Sequence, residues 1–230
     1  MLGRILFNGC RPAQRAQSFV HDYLAVMIDP SILRLVAITD NVRDGQTGLI
    51  ARATAAVNGG ATCVQLRLKD VAARDLVGVA RELIKAVGVP VIVNDRADVA
   101  IAAGAAGVHL GADDAPVSAI RKIAPTGFLI GASVGSDAEI SLAAGADYAG
   151  VGPVFGTSSK GDAGDAIGLA EFTRLSTATG LPTVAIGGIT AANALSAIEA
   201  GAIGIAVISA IFGASDALTA AQELVSAIEK

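Results

Sequence analysis

Gly104-Ala105-Ala106-Gly107-Val108 closes an Ala-rich helical stretch and opens an apolar run. Close variants recur at Gly60-Ala61-Thr62-Cys63-Val64, Gly145-Ala146-Asp147-Tyr148-Ala149 and Gly201-Ala202-Ile203-Gly204-Ile205. Each reads as a helix that stops at a C-terminal glycine and turns at once into a buried strand. Further short apolar runs occupy 33–38, 90–93, 128–130 and 183–186. With the four repeats they make eight strands, each followed by a helical pattern, which predicts an α/β chain folded as a (β/α)8 TIM barrel. A doubly wound open sheet is the alternative that the same alternation allows.

Residues 33 to 230 number 198, about 25 per strand-helix unit and close to the minimum for a closed eight-fold barrel. The loops must therefore be short. Helix-start signals agree. Ser136-Asp137-Ala138-Glu139 has the form of a capping box, Asp70 precedes a helix over 71–87, Thr190 precedes one over 191–200, and Ser215-Asp216 opens the last. No linker-like stretch divides the middle of the chain. One domain is expected over 31–230, preceded by an extension over 1–30 with a helix at 13–27 packed outside the barrel.

Composition excludes several classes. With 53% hydrophobic and 17% charged residues the chain suits a large buried core rather than disorder. Seventeen Lys+Arg against twenty-one Asp+Glu leave a formal charge of -4 without a basic block, so neither nucleic acid nor a membrane surface is an expected partner. The longest uncharged run, 175–198, spans 24 residues but is broken by Gly180, Pro182, Gly187, Gly188 and Asn193. It is not a membrane span. Arg4, Arg11 and Arg15 are not followed by the apolar stretch of a signal peptide. Cys10 and Cys63 are too few for a disulfide framework or a thiolate metal site, and read as inert thiols of a cytoplasmic protein. Whether the chain forms a homo-oligomer is left open.

Strands of such a barrel bury both faces, so polar residues at their C-terminal ends need a reason. In Val64-Gln65-Leu66-Arg67-Leu68-Lys69-Asp70 the residues Gln65, Arg67 and Lys69 share one face, an amide and two cations suited to an anion. Asn94-Asp95 ends the third strand, and His109-Leu110-Gly111-Ala112-Asp113-Asp114 ends the fourth. Asp95 and Asp114 either cap helices or supply the few hard oxygens that Mg²⁺ takes alongside water and a substrate phosphate. His109 is either a bonded core histidine or a catalytic one. The sixth strand runs through Gly150-Val151-Gly152-Pro153 into Thr157-Ser158-Ser159-Lys160, glycines, hydroxyls and an ammonium that fit phosphoryl oxygens. The same composition also makes an ordinary solvated loop. Gly187-Gly188 and Ile208-Ser209 follow the seventh and eighth strands, where this architecture places phosphate sites. The residues thus describe a barrel enzyme with two anion sites across one mouth.

The ordered set Gln65 to Lys69, Asn94-Asp95-Arg96, Gly107 to Gly111, Gly150 to Pro153 with Thr157 to Lys160, and Ala185 to Ile189 resembles the thiamin phosphate synthase family over roughly 33 to 212. The resemblance implies joining of a pyrimidine diphosphate to a thiazole phosphate, with release of diphosphate. It implies that Arg67, Lys69, Asn94, Ser133 and Lys160 hold the diphosphate, Gln65 the pyrimidine, and Asp95 and Asp114 a Mg²⁺ cofactor. Thr157 and Ser159 would lie near the thiazole, with Gly188, Ile208 and Ser209 at its phosphate. Of these, Arg67, Lys69, Lys160 and Ser133 would be the catalytic set. Three positions depart from the family pattern: Ala112 for a glutamine, Val134-Gly135-Ser136 for Thr-His-Thr, and Val36 for a tyrosine. A sister thiazole tautomerase would carry a histidine at position 135. A barrel that senses phosphate without turnover is the other rival.

Overall fold

A computed structural model of the chain describes residues 29–40, 45–156 and 164–229. Eight parallel strands, β1 (Leu35–Ile38), β2 (Cys63–Leu66), β3 (Val91–Asn94), β4 (Gly107–Leu110), β5 (Leu129–Val134), β6 (Tyr148–Val151), β7 (Thr183–Ile186) and β8 (Gly204–Val207), pair in chain order and close on themselves. The open doubly wound sheet is thereby excluded. The helices between them are α1 (Gly45–Asn58), α2 (Ala73–Ala86), α3 (Ala97–Ala103), α4 (Val117–Ile123), α5 (Asp137–Ile140), α6 (Gly168–Thr179) and α7 (Ala194–Glu199), and α8 (Ser209–Phe212) and α9 (Ala217–Ile228) follow β8.

Strand alternation divides the core into two layers. Leu35, Ala37, Val64, Leu66, Ile130 and Val207 belong to the shell beneath the helices, whereas Val36, Ile38, Cys63, Ile92, Tyr148 and Val184 cluster separately as the barrel interior. Phe172 and Leu175 of α6 are fully buried in the shell, each contributing about 1.5–3 kcal/mol relative to exposure. The four glycines of the sequence repeat all have positive φ, 107° at Gly60, 74° at Gly104, 86° at Gly145 and 104° at Gly201. The helix-to-strand turn therefore uses the left-handed half of backbone space that only glycine enters cheaply.

Several boundaries differ from the sequence expectation. Leu33 is not the start of a strand. It ends a 3-10 turn, Pro30–Leu33, that Asp29 caps through its side chain at 2.9 Å from the Ser31 amide. Leu33 itself is packed with Val36, Cys63 and Tyr148 at the N-terminal end of the barrel. Asp70 sits at φ 60° and does not cap α2, which begins after Ala72. Asn193, not Thr190, precedes α7, its Oδ1 accepting from the Thr190 amide at 2.8 Å and its amide donating to the Gly188 carbonyl at 3.0 Å. Ser136 precedes α5 without a side-chain cap, while Glu139 accepts from the Gly135 amide instead. Asp216 does cap α9, accepting from the Leu218 amide at 3.0 Å and the Thr219 amide at 3.3 Å. The expected extension, apart from residues 29 and 30, lies outside the described residues, as does Cys10. Among the described residues no helix is long and apolar enough to cross a membrane.

Candidate active site

The C-terminal ends of β2 to β8 surround a cavity of about 630 Å³. Short strands and short loops make this geometry: each polar residue that follows a buried run is delivered to the same rim. Arg67 and Lys69 reach it from β2, Asn94 and Asp95 from β3, Asp114 from the β4 loop, Ser133 from β5, Gly188 from β7, and Ile208 and Ser209 from β8. Gln65 does not line it. That side chain is buried one pleat lower, inside the barrel, at 4% exposure. Thr157, Ser159 and Lys160 lie outside the described residues.

Backbone ties hold the cationic side. Thr39, fully buried just past β1, donates its hydroxyl to the Arg67 carbonyl at 3.0 Å and accepts from the Arg67 amide at 2.8 Å. The end of β2 is thus pinned to β1 immediately beneath the guanidinium. Asp95 adopts φ 63° and gives its amide to the His109 carbonyl at 2.8 Å, linking β3 to β4. A non-glycine residue in the left-handed region costs about 1–2 kcal/mol, and such residues concentrate where a side chain must be aimed. Asp114 closes its own loop, its Oδ2 accepting from the Gly111 amide at 2.6 Å. Arg96 turns away to a paired contact with Asp98 at 2.6 and 2.9 Å, which holds the Asp98 carboxyl below its ordinary range.

Beneath the rim lies a polar file. His109 Nε2 is 3.0 Å from Ser133 Oγ, and its Nδ1 is 3.0 Å from Tyr148 Oη. Burial, with Cys63 and Asp147 nearby, pushes the Tyr148 phenol well above its usual range. Burial alone pushes the Cys63 thiol up to about 12.

The other side is built from backbone. Gly187 and Gly188 have φ of 95° and 63°, and a Cβ on Gly188 would meet the Gly156 carbonyl oxygen at 2.5 Å. The β6 and β7 ends are laced by the Val154 amide to the Ile186 carbonyl at 2.8 Å and the Phe155 amide to the Gly187 carbonyl at 3.0 Å. The Gly152-Pro153 peptide between them is cis. Ala112 and Gly135, two of the three departures, line the cavity, whereas Val36 is buried beneath it. Thr39, Tyr148, Asp113 and Glu139 belong to the site and were not singled out from sequence. A hydroxyl directly after the β1 run was the available signal for Thr39.

The chain is 53% identical over 197 residues to a thiamine-phosphate synthase of Methanoculleus marisnigri, covering 83% of this chain and 92% of that one. It is 47% identical over 192 residues to a thiamine-phosphate synthase of Roseiflexus castenholzii, covering 81% and 84%. The solved thiamine phosphate pyrophosphorylase from Pyrococcus furiosus superimposes with a TM-score of 0.76 at 38% identity, over 87% of this chain and 97% of that structure. A 3-hexulose-6-phosphate synthase, with a TM-score of 0.65 at 18% identity, shares the fold alone. The family profile described as thiamine monophosphate synthase matches residues 35–211, from the first strand into the last short helix at the mouth, and the chain belongs to that family.

Proposed function

We propose that the chain joins 4-amino-2-methyl-5-hydroxymethylpyrimidine diphosphate to 4-methyl-5-(2-hydroxyethyl)thiazole phosphate, forming thiamin phosphate and diphosphate with Mg²⁺ beside the leaving group. One observation carries the reading: a single mouth has two differently built ends. Arg67, Lys69, Asn94 and Ser133 offer side-chain donors at one end, while Gly187, Gly188 and the start of α8 offer backbone and Ser209 at the other. A diphosphate suits the first and a monophosphate ester the second.

The charge on the wall supports the metal. Asp95, Asp113, Asp114, Glu139 and Asp165 line the cavity against Arg67 and Lys69 among the described residues. A diphosphate ester entering alone would meet excess negative charge. Asp95 and Asp114 project from neighbouring loops with hard oxygens, and no three His, Cys, Asp or Glu side chains form a closed cage among the described residues. That donor set fits Mg²⁺, which keeps water and substrate oxygens in its shell. When bound, the ion supplies positive charge against which the leaving diphosphate develops its own.

The chain's own work is neutralising and positioning. The bond from the pyrimidine CH₂ to the diphosphate oxygen breaks, its electron pair leaving with the diphosphate, and the aminopyrimidine ring stabilises the cation. The thiazole nitrogen then forms the C–N bond with its lone pair. No proton moves and no protein nucleophile is needed, so Ser133 and Ser209 act as ligands. Arg67, Lys69 and Lys160 stabilise the departing charge. Holding the thiazole by its phosphate so that nitrogen faces carbon contributes up to about 7–11 kcal/mol of barrier lowering. Position 135 offers no histidine for a tautomerase, and a Cβ there would sit 2.9 Å from the Gly152 carbonyl oxygen.

The test is to incubate purified protein with both substrates and Mg²⁺ and oxidise the product to its thiochrome. Fluorescence that requires both substrates and disappears with EDTA is expected. A folded protein giving none would refute the reading.

A further inference from the structure

We propose that Tyr148 and His109 are positioning residues that set Ser133 as a hydrogen-bond donor to the anion bound above it. The inference rests on the diphosphate lying at this end of the mouth. It adds a direction to the hydrogen bonds beneath it.

Apart from Gln65, the barrel interior around these rings is apolar, with Val36, Ile38, Cys63, Ile92 and Val184 in the same cluster as Tyr148. Tyr148 is 2% exposed and His109 7%, whereas Ser133 lines the cavity. Three adjacent strands supply the file: His109 from β4, Ser133 from β5 and Tyr148 from β6. Space for the two rings comes from glycines, one on β5 beside Tyr148 and one on β6, two strands from His109. Gly131 pairs in register with Tyr148, and a Cβ there would lie 2.2 Å from the phenol Cζ. Gly150 pairs with Ser133, and a Cβ there would lie 2.9 Å from His109 Cε1. The glycines at both positions are what permits the stacked file.

Direction follows from counting protons. A phenol held well above its usual range keeps its proton, and among the described residues its hydroxyl has one hydrogen-bond partner, His109 Nδ1 at 3.0 Å. A buried phenol proton without an acceptor is costly, so Tyr148 donates and Nδ1 is the bare nitrogen. The imidazole proton is then on Nε2, which donates to Ser133 Oγ at 3.0 Å. That bond occupies a lone pair of Oγ, and the serine's own proton is left for the cavity. In the reverse arrangement, or with a doubly protonated ring, Nδ1–H would point at the phenol oxygen and strand the phenol proton. The reverse arrangement would also turn a serine lone pair toward an anion. A fixed donor aimed at a departing anion is the arrangement that stabilises developing charge without reorganisation.

Two measurements test this. Nitrogen-15 NMR of histidine-labelled protein carrying His21→Gln, which leaves His109 as the one histidine of the two in the chain, reads the tautomer without any activity. A bare Nδ1 and a protonated Nε2 are expected, alone and with Mg²⁺ and inorganic diphosphate. The opposite tautomer, or an averaged pair of signals, overturns the proposal. In kinetics, Tyr148→Phe keeps the ring and removes the donor. A fall in kcat of about tenfold is expected with KM for the thiazole phosphate unchanged. The same change should have no further effect on Ser133→Ala protein. A merely structural tyrosine would lower turnover by the same factor in both backgrounds, and that result overturns the proposal. Ser133→Ala turning over at the parent rate would overturn it through the diphosphate assignment, whereas the NMR result tests the relay itself.

Discussion

Replacing Gly188 by alanine separates backbone strain from displacement of the proposed phosphate loop. At φ 63° the added Cβ meets the Gly156 carbonyl oxygen at 2.5 Å and the Phe155 carbonyl carbon at 2.8 Å. Ordinary contact begins near 3.4 Å, so the loop must retreat by about 0.9 Å. Left-handed alanine costs about 1–2 kcal/mol, and overpacking a further 1–3 kcal/mol or so. Gly180→Ala is the control. It has φ 65°, nothing within 4 Å of its Cβ, and lies outside the cavity. At about 2–4 °C per kcal/mol for a chain of this size, Gly180→Ala should lower Tm by about 2–8 °C, and Gly188→Ala by roughly twice that or more. Only Gly188→Ala should affect binding. A misplacement near 1 Å can cost about 100-fold, so kcat/KM for the thiazole phosphate is expected to fall between about tenfold and 100-fold. KM for the pyrimidine diphosphate should be unchanged. Steady-state rates with each substrate varied in turn, alongside calorimetric Tm values, make the comparison. Equal kinetic losses in the two variants, or none in Gly188→Ala, would refute placing the phosphate at this loop.

Asp95→Asn and Asp114→Asn keep an amide oxygen where each carboxylate stood, including the acceptor for Gly111. A Mg²⁺ titration of turnover should therefore show at least about a tenfold higher half-saturating concentration, with Tm little changed. Lys160→Ala should lower kcat by about 100-fold or more, read in the thiochrome assay, if its ammonium meets the leaving diphosphate. At Asp216, chiefly the Thr219 hydroxyl and amide hold the carboxyl below the usual carboxylate range. Its stabilisation is therefore complete above about pH 5 and is lost as pH falls through the lower folded value. The Tm gap between parent and Asp216→Ala should be constant from neutral pH down to about pH 5 and close at more acidic pH.

The barrel was legible because its elements repeat. Glycine, small residue and apolar run recur at four of the helix-to-strand junctions, and all four leading glycines adopt the positive φ that the pattern requires. The rim was legible for the same reason: a polar residue after a buried run has nowhere else to go. What failed was decided by choices between near neighbours. Asn193 beats Thr190 as the residue before α7 because its longer amide reaches both the Thr190 amide and the Gly188 carbonyl. Glu139 satisfies Gly135 rather than completing a box with Ser136, and α5 amounts to one turn. Leu33 looked like strand because it is as apolar as β1, yet the proline at residue 30 sets a 3-10 turn first. A bonded core His109 was among the sequence readings and the structure has it so, but its partner Tyr148 was missed for a different reason. Tyr148 read as one more apolar member of a strand, and only the register of β5 against β6, which puts Gly131 opposite it, makes the cavity for its ring. Gln65 shared a face with Arg67 and Lys69, but parity carries no depth, and it lies below the mouth.

The central claim is that one mouth holds a diphosphate that leaves and a phosphate that stays. Phosphorus-31 NMR of a single reaction containing the protein, both substrates and Mg²⁺ tests it most directly. The diphosphate-ester signals should give way to free diphosphate in equal amount to the thiamin phosphate formed, with the phosphate monoester retained throughout. Release of orthophosphate, or loss of the monoester, would contradict the account.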